Sequence, residues 1–435
     1  MNWRIVIGVV FPFMYGAALN AQSYTSYMTG DAANVDSIPT YAVVMAGGAG
    51  DHDNAMKWML ERANGGDVLV LRASGSDGYN DYFYSDLGVD VNSVETIVCN
   101  NASSGSDPYI LQRIAEAECI FFAGGDQYDY IDYWMNSPAE IALNDFIHVK
   151  RGVMGGTSAG MAILGGHVFT AENGTITSSN ALNNPFSLSM TLIHDDFLTH
   201  PYLLDVITDT HYDDPDRRGR HVAFMAQMSY TGVTQPLGIA CNEYVAVAID
   251  ENGMAYCFGE YPQYDEYVYF LRQGCTSLGG PETIEPFESL TWDHNQQALK
   301  VYRANARLDG SSTFDLNNWV DNNGDGQWQD WSVVSGSINF NENTSAPDCF
   351  ITRIHEPIST FEIARVFATE SELVLRSAND GQWIVTDVMG RQVAQWYVLQ
   401  GENRVGIPNW AAGVYVVQFI DKKGNRQMGQ RVWVD

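Results

Sequence analysis

Val153-Met154-Gly155-Gly156-Thr157-Ser158-Ala159-Gly160-Met161-Ala162 joins an apolar approach, one serine flanked by small residues, and a run able to open a helix. That order predicts a strand–turn–helix elbow that lifts the serine oxygen above a parallel sheet. Ser158 is the candidate nucleophile. Gly156 and Gly160 fit this reading, because the turn needs strained backbone angles and close packing that a Cβ would obstruct. By itself the string is equally an ordinary Gly/Ser turn, so its surroundings decide.

Upstream, short apolar runs alternate with helical stretches. Strands are expected at Tyr41 to Ala46 (ending in Gly47-Gly48), Val68 to Leu71, Val94 to Cys99, Cys119 to Phe122 and Val153-Met154. Helices are expected near Asn54 to Ala63, Ile110 to Ala117, Tyr128 to Met135 and Ala139 to Phe146. Such alternation indicates an α/β fold with an open parallel sheet flanked by helices. Sites in these sheets form at the carboxyl ends of strands. Ser158 occupies one such end and Gly124-Gly125-Asp126-Gln127 another. The glycines there admit backbone N–H groups to a ligand, and Gln127 adds a neutral donor and acceptor; alone, the string is also a tight turn.

Downstream, Thr208-Asp209-Thr210-His211-Tyr212 precedes Arg217-Arg218-Gly219-Arg220. A serine nucleophile needs a base at neutral pH, and histidine is the side chain suited to that task, which makes His211 the candidate. Arginines crowded beside it stand out in a chain with 23 basic and 53 acidic residues. A guanidinium holds a carboxylate bidentately. Gly238 to Val247 reads as a turn leading into a strand, where Glu243 can orient the imidazole or be an ordinary strand-edge carboxylate.

The formal net charge of −30 excludes nucleic acid as a partner, since phosphate binding rests on clustered Lys and Arg. The imbalance lies before Phe361, because Phe361 to Asp435 carries 8 acidic and 8 basic residues. With 435 residues, two differently built parts are expected. Residues 1–21 read as an export signal, with Arg4, an apolar core from Ile5 to Leu19, and Asn20-Ala21 before the cleavage point. The mature protein is therefore expected to be secreted or at the cell surface. Six cysteines suit an oxidising compartment but lack metal-ligand spacing; Cys257 with Cys275 is a candidate bridge, but spacing does not fix the pairing and buried free thiols are the alternative.

Taken in order, Gly-Gly-Asp-Gln, Gly-Thr-Ser-Ala-Gly, Asp-x-His-aromatic with its Arg/Gly-Arg cluster, and Gly-Ile-x-x-Asn-Glu resemble the cyanophycinase branch of the serine peptidases. The resemblance covers about Tyr41 to Leu316. It implies a flavodoxin-like sheet of the class I glutamine amidotransferase type, with Ser158 as nucleophile, His211 as base and Glu243 as orienting acid. It further implies an oxyanion hole from the amides of Ala159 and Gly125, and substrate recognition by Gln127, Asp209, Arg217 and Arg220. No cofactor or metal is called for.

Two positions depart from that family. Thr210 stands where it carries Gln, and Pro215 where it carries another Arg. Losing a guanidinium removes a charge-assisted contact of about 1.5–3 kcal/mol. The expected substrate is accordingly a peptide or isopeptide with an aspartyl-like residue, rather than cyanophycin, a storage polymer with arginine side groups on polyaspartate. Glutamine amidotransferase-like hydrolases use cysteine at the elbow, which Ser158 disfavours. A binding protein that keeps the fold without turnover is the rival reading. Oligomeric state stays open, a homodimer included.

Domain boundaries are expected at 40–350 for the peptidase part, including a connecting region from about 276, and at 356–435 for a second part. Within the first, Asp321-Asn322-Asn323-Gly324-Asp325-Gly326 has calcium-loop spacing, but Ser332 takes the twelfth position where a bidentate Glu belongs. A plain Asn/Asp/Gly turn is the reading there. The second part has short alternating strands around Leu373, Trp383 to Asp387, Gly413 to Gln418 and Gln430 to Val434, which predict a small all-β sandwich. Val385 to Val393 and Ala412 to Val416 resemble the type IX secretion C-terminal sorting domain, without its usual Pro-Asn-Pro string. That resemblance implies the secretion machinery as a partner.

Overall fold

The computed structural model describes residues 22–349 except 195–196, 278 and 322, together with most of the strands between 365 and 434. The export segment read at 1–21 and the boundary near Glu356 lie outside the described residues. Ser93–Cys99, Asp67–Arg72, Cys119–Phe122, Val153–Thr157 and Ala42–Ala46 lie side by side in that order, all parallel. Most of their sequences are apolar runs because both faces of the sheet are covered; Ser93–Cys99 differs in burying Ser93, Glu95 and Thr96. Val43, Met45, Leu69, Leu71, Ile120 and Phe122 face one core. Val44, Val68, Val70 and Phe121 face another, where helix Asp53–Glu61 buries Ala55, Met56, Met59 and Leu60.

Helices Pro108–Glu116 and Pro138–Asp145 each begin with proline in the first turn, behind side-chain caps from Asp107 and Ser137. Proline costs nothing there, since its missing N–H would have no intrahelical partner. Ile110, Ile114 and Leu143 from these helices complete the first core.

The expectation of a parallel sheet holds at the centre and changes at the margins. Tyr24–Gly30 adds an antiparallel strand along Ser93–Cys99. On the other side Ala246–Asp250, Met254–Phe258, Ser312–Asp315 and Val320–Asp321 extend the sheet to ten strands, again antiparallel. A second sheet of eight strands stacks on the first. Its Val206–Asp209 and Leu237–Cys241 are parallel neighbours, followed by antiparallel Tyr267–Gln273, Leu299–Asn305 and Gly326–Val334. Ile239, Val268 and Phe270 share the first core with Val43 and Phe122, so the two sheets pack face to face. Helix Arg218–Tyr230 covers the outer face through Val222, Phe224 and Met225.

Residues from 276 onward are therefore more than a connector. They supply strands to both sheets, and Trp292, Trp319 and Trp331 are fully buried among them. Asp321 ends one strand and Gly326 begins the next, Asn322 lies outside the described residues, and the two carboxylates of this stretch are already engaged. Arg307 donates to Asp325 from Nε at 2.6 Å and from Nη2 at 2.7 Å, and Trp328 Nε1 donates to Asp321 at 2.8 Å.

The candidate Cys257–Cys275 bridge is not formed. Cys275 pairs with Cys349, their Cα atoms 5.6 Å apart, while Cys257 is a free thiol buried inside strand Met254–Phe258. The two cysteines belong to different sheets: Cys257 is in the interior of the first, and Cys275 just follows Tyr267–Gln273 of the second.

Farther along, Arg365–Ala368, Glu372–Ser377 and Gly401–Gly406 form a three-stranded sheet. Gln392–Val398, Gly381–Asp387, Gly413–Asp421 and Gln430–Val434 form a four-stranded one. Trp383, Val385, Val417 and Phe419 make a core against which Val405 of the smaller sheet packs, which is the small sandwich the alternation predicts. Among the described residues no helix is long and apolar enough to cross a membrane.

Candidate active site

Ser158 follows strand Val153–Thr157 directly and opens the short helix Ala159–Ala162. Its backbone sits at φ 54° and ψ −116°, a conformation that L residues rarely adopt and that costs of order 1–3 kcal/mol. The small residues around it allow the turn to close. A Cβ on Gly160 would lie 2.0 Å from the Phe122 carbonyl oxygen, and one on Gly156 would lie 2.5 Å from the backbone of Gly160.

The neighbouring strand Ala42–Ala46 ends in a second turn that ties the site together through its carbonyls. Ala46 O accepts from Ser158 N at 3.0 Å, Gly47 O from His211 N at 2.8 Å, and Gly48 O from Tyr244 N at 3.0 Å. Three consecutive residues thus fix the serine, the histidine and the loop that carries Glu243. That loop is further held by Asp213 Oδ1, which accepts from Glu243 N at 2.9 Å. The glycines are required by proximity. A Cβ on Gly47 would fall 2.0 Å from Asn242 O, and one on Gly48, at φ +107°, would fall 2.4 Å from His211 Nε2.

Held this way, Ser158 Oγ lies 2.8 Å from His211 Nε2, and His211 Nδ1 lies 2.5 Å from Glu243 Oε1. A carboxylate at Nδ1 keeps the ring proton there and leaves Nε2 as the acceptor for the serine hydroxyl. All three side chains are half-buried, so they are open to a ligand yet partly screened from water. The arrangement can transfer the serine proton and hold the resulting imidazolium.

Ala159 follows the serine, and a Cβ on Gly124, the residue before Gly125, would lie 3.5 Å from Ser158 Cβ. Asp126 caps helix Gln127–Trp134 by accepting from Tyr128 N at 2.9 Å, which leaves Gly125 on the loop before the helix. Among the described residues neither the Gly125 nor the Ala159 amide has a backbone acceptor. Gln127 lies at the first position of that helix, and its Nε2 donates to Phe169 O at 3.3 Å.

The expected substrate-binding charges fall into two groups. Asp209 and Arg220 are buried against each other, with Arg220 Nε donating to Oδ2 at 2.9 Å and Nη2 to Oδ1 at 2.5 Å. The remaining Arg220 nitrogen reaches Thr175 Oγ1 at 3.0 Å. Burial alone would raise the Asp209 pKa, but the Arg220 charge and hydrogen bonds outweigh it and hold the carboxyl below its ordinary value. Arg220 is therefore engaged inside the protein, which corrects its reading as a clamp for a substrate carboxylate. Arg217 differs. It is half-buried and donates from Nη1 to Thr210 O at 3.0 Å. Burial first, and the Arg220 charge second, push its guanidinium below the usual value, the mark of an under-neutralised cation.

Asp51 escapes a reading of the sequence. It follows the glycine turn, accepts from Tyr79 Oη at 2.6 Å, and lies against Thr157, the residue before Ser158. Burial raises its pKa against the opposing hydrogen bonds from Tyr79 and Thr157. The signal for it is the run Gly47-Gly48-Ala49-Gly50, whose glycine density marks a place where other backbone comes close.

Among solved structures, the chain is similar to a peptidase from an acI-B1 actinobacterium at 13% identity, over 53% of this chain and 91% of that one, with a TM-score of 0.39. It is similar to a putative peptidase E protein from Listeria monocytogenes EGD-e at 13% identity, over 50% of this chain and 98% of that one, with a TM-score of 0.32. No family model and no curated protein matches the sequence. Likeness this distant carries no functional weight; the site geometry does.

Proposed function

We propose that the protein is an exported serine-type peptidase that hydrolyses a peptide or isopeptide bond beside an acidic, aspartyl-like residue. The observation that carries this reading is the Ser158–His211–Glu243 chain of contacts at 2.8 Å and 2.5 Å, with the serine on a strained elbow. In the first step His211 Nε2 takes the Ser158 proton while Oγ attacks the scissile carbonyl. Glu243 keeps the imidazolium oriented, and the amides of Ala159 and Gly125 receive the developing oxyanion. The imidazolium then protonates the leaving amine. Water, deprotonated by the same ring, releases the acyl group.

Selection of an acidic residue would fall to Arg217, with Gln127 as a neutral partner. Arg220 and Asp209 would act as the buried floor beneath it. Export through residues 1–21, and passage across an outer membrane guided by the sandwich after residue 356, complete the proposal.

The test is labelling of the full chain with a fluorophosphonate probe, the adduct being located by mass spectrometry. Adduct at Ser158 that disappears in His211→Ala is expected. A folded protein that takes no label under any condition would favour the reading in which the fold binds a ligand without turnover.

A further inference from the structure

Far along the second sheet, Arg272 lies near the end of strand Tyr267–Gln273 with 2% of its surface exposed. Its Nη2 donates to Cys349 O at 3.1 Å and lies 3.1 Å from Cys349 Sγ. Its Nε and Nη1 are buried and, among the described residues, have no hydrogen-bond partner. The cross-strand neighbour Lys300 is also a cation and takes the nearby Asp330 at 2.6 Å. Burial with no counter-ion pushes the Arg272 guanidinium down to about 10. A buried charge in this condition is unfavourable and gains strongly from any anion formed beside it.

The atom placed to become that anion is a sulfur. Cys349 and Cys275 form the disulfide, and both are partly accessible. The exposed Asp348 carboxylate lies within 4.8 Å of both sulfurs and opposes negative charge there, but it does so from solvent, where it is screened, whereas Arg272 acts from the interior. We propose that Cys275–Cys349 is a thiol-exchange site in which Cys349 is the leaving sulfur and Arg272 its counter-ion. The reductant is a dithiol. One of its thiolates attacks Cys275 Sγ, the S–S bond breaks, and the electron pair passes to Cys349 Sγ as a thiolate held by Arg272 Nη2. The second thiol of the reductant then attacks the mixed disulfide and releases Cys275, leaving the reductant oxidised and two cysteines reduced. Cys275 has its own donor, the Cys349 amide at 3.2 Å, but that group is neutral and the weaker of the two. A cation beside a thiol favours the thiolate, and a better leaving thiolate speeds exchange.

Reduction would cut the covalent tie between residues 74 apart. The segment ending at Cys349 would then be held by contacts such as Lys300 Nζ to Ser345 O at 3.0 Å. The midpoint of reduction in dithiothreitol buffers, read by alkylation and gel shift on the full chain, tests the idea. Arg272→Met should require about ten- to a hundredfold more reducing conditions, with Arg272→Lys close to the starting protein. An unchanged midpoint in a folded Arg272→Met protein overturns the proposal. Should Arg272→Met fail to fold, Cys275→Ser still isolates Cys349 beside Arg272. Its alkylation rate against pH should then report a thiol titrating below about 8.5, and a value at or above that refutes the assignment.

Discussion

The turn after Val153–Thr157 and the turn after Ala42–Ala46 sit side by side at the carboxyl ends of neighbouring strands, yet they position side chains by different physics. The first acts on itself: Ser158 is displayed because its own backbone is held at φ 54°. The second carries no candidate catalytic side chain. Its carbonyls from Ala46, Gly47 and Gly48 hold the amides of Ser158, His211 and Tyr244, residues that are distant in sequence. One turn presents a group and the other sets the spacing between groups. The spacing of Ser158, His211 and Glu243 thus depends on a segment whose contribution is entirely backbone.

A substitution at Gly48 is the most severe test of that division. A Cβ there would sit 2.4 Å from His211 Nε2, the atom proposed to accept the serine proton. The ring can swing aside, so Gly48→Ala should fold while losing the Ser158 contact, and a displacement of about 1 Å costs on the order of a hundredfold in rate. Fluorophosphonate labelling rates measure it. Gly65→Ala is the control, since Gly65 also has positive φ, +76°, but no atom within 4 Å of its added Cβ. Equal labelling losses in both variants would mean that strain, not contact with the histidine, is responsible.

The same division separates what sequence reveals from what it hides. The elbow is legible because its determinants are adjacent: an apolar run, small residues around one serine and a helix opening all fall within ten positions. The parallel strands are legible because burial on both faces leaves apolar runs bounded by helices. The glycine turn at Gly47-Gly48 is visible only as the end of a strand, since its partners at Asn242 and His211 lie some two hundred and one hundred sixty residues away. Tyr24–Gly30 is hidden because an edge strand alternates polar and apolar residues and has no helix after it. The partner of Cys275 is hidden too, because nothing local distinguishes Cys257 from Cys349; their places in the fold do. Arg217 and Arg220 look alike in sequence, and only burial separates them.

Those two arginines extend the contrast from backbone to charge. Arg220 and Asp209 are buried as a bidentate pair, so Arg220→Met should leave an unpaired carboxylate in the interior. Breaking one member of such a pair costs about 3–5 kcal/mol. Urea unfolding at neutral pH should show that loss, and Asp209→Asn combined with Arg220→Met should recover part of it because no buried charge remains. A single variant as stable as the starting protein would show that Arg220 is not structural, and would return it to the substrate.

Arg217 should behave in the opposite way. It is half-buried and its guanidinium is under-neutralised, so the fold gains little from its charge. Arg217→Met is expected to cost no more than the single hydrogen bond to Thr210, about 0.5–1.5 kcal/mol, well below the Arg220 effect. Its effect belongs in binding: a lost charge-assisted contact of about 1.5–3 kcal/mol should raise KM for acidic peptides roughly ten- to a hundredfold while leaving kcat nearly unchanged. Neutral peptides should show a much smaller difference, and comparing the two series measures the charge on the substrate side of the contact. A uniform fall in kcat across both would place Arg217 with the groups that orient His211 and Glu243, and would move the recognition of acidic residues to another part of the site.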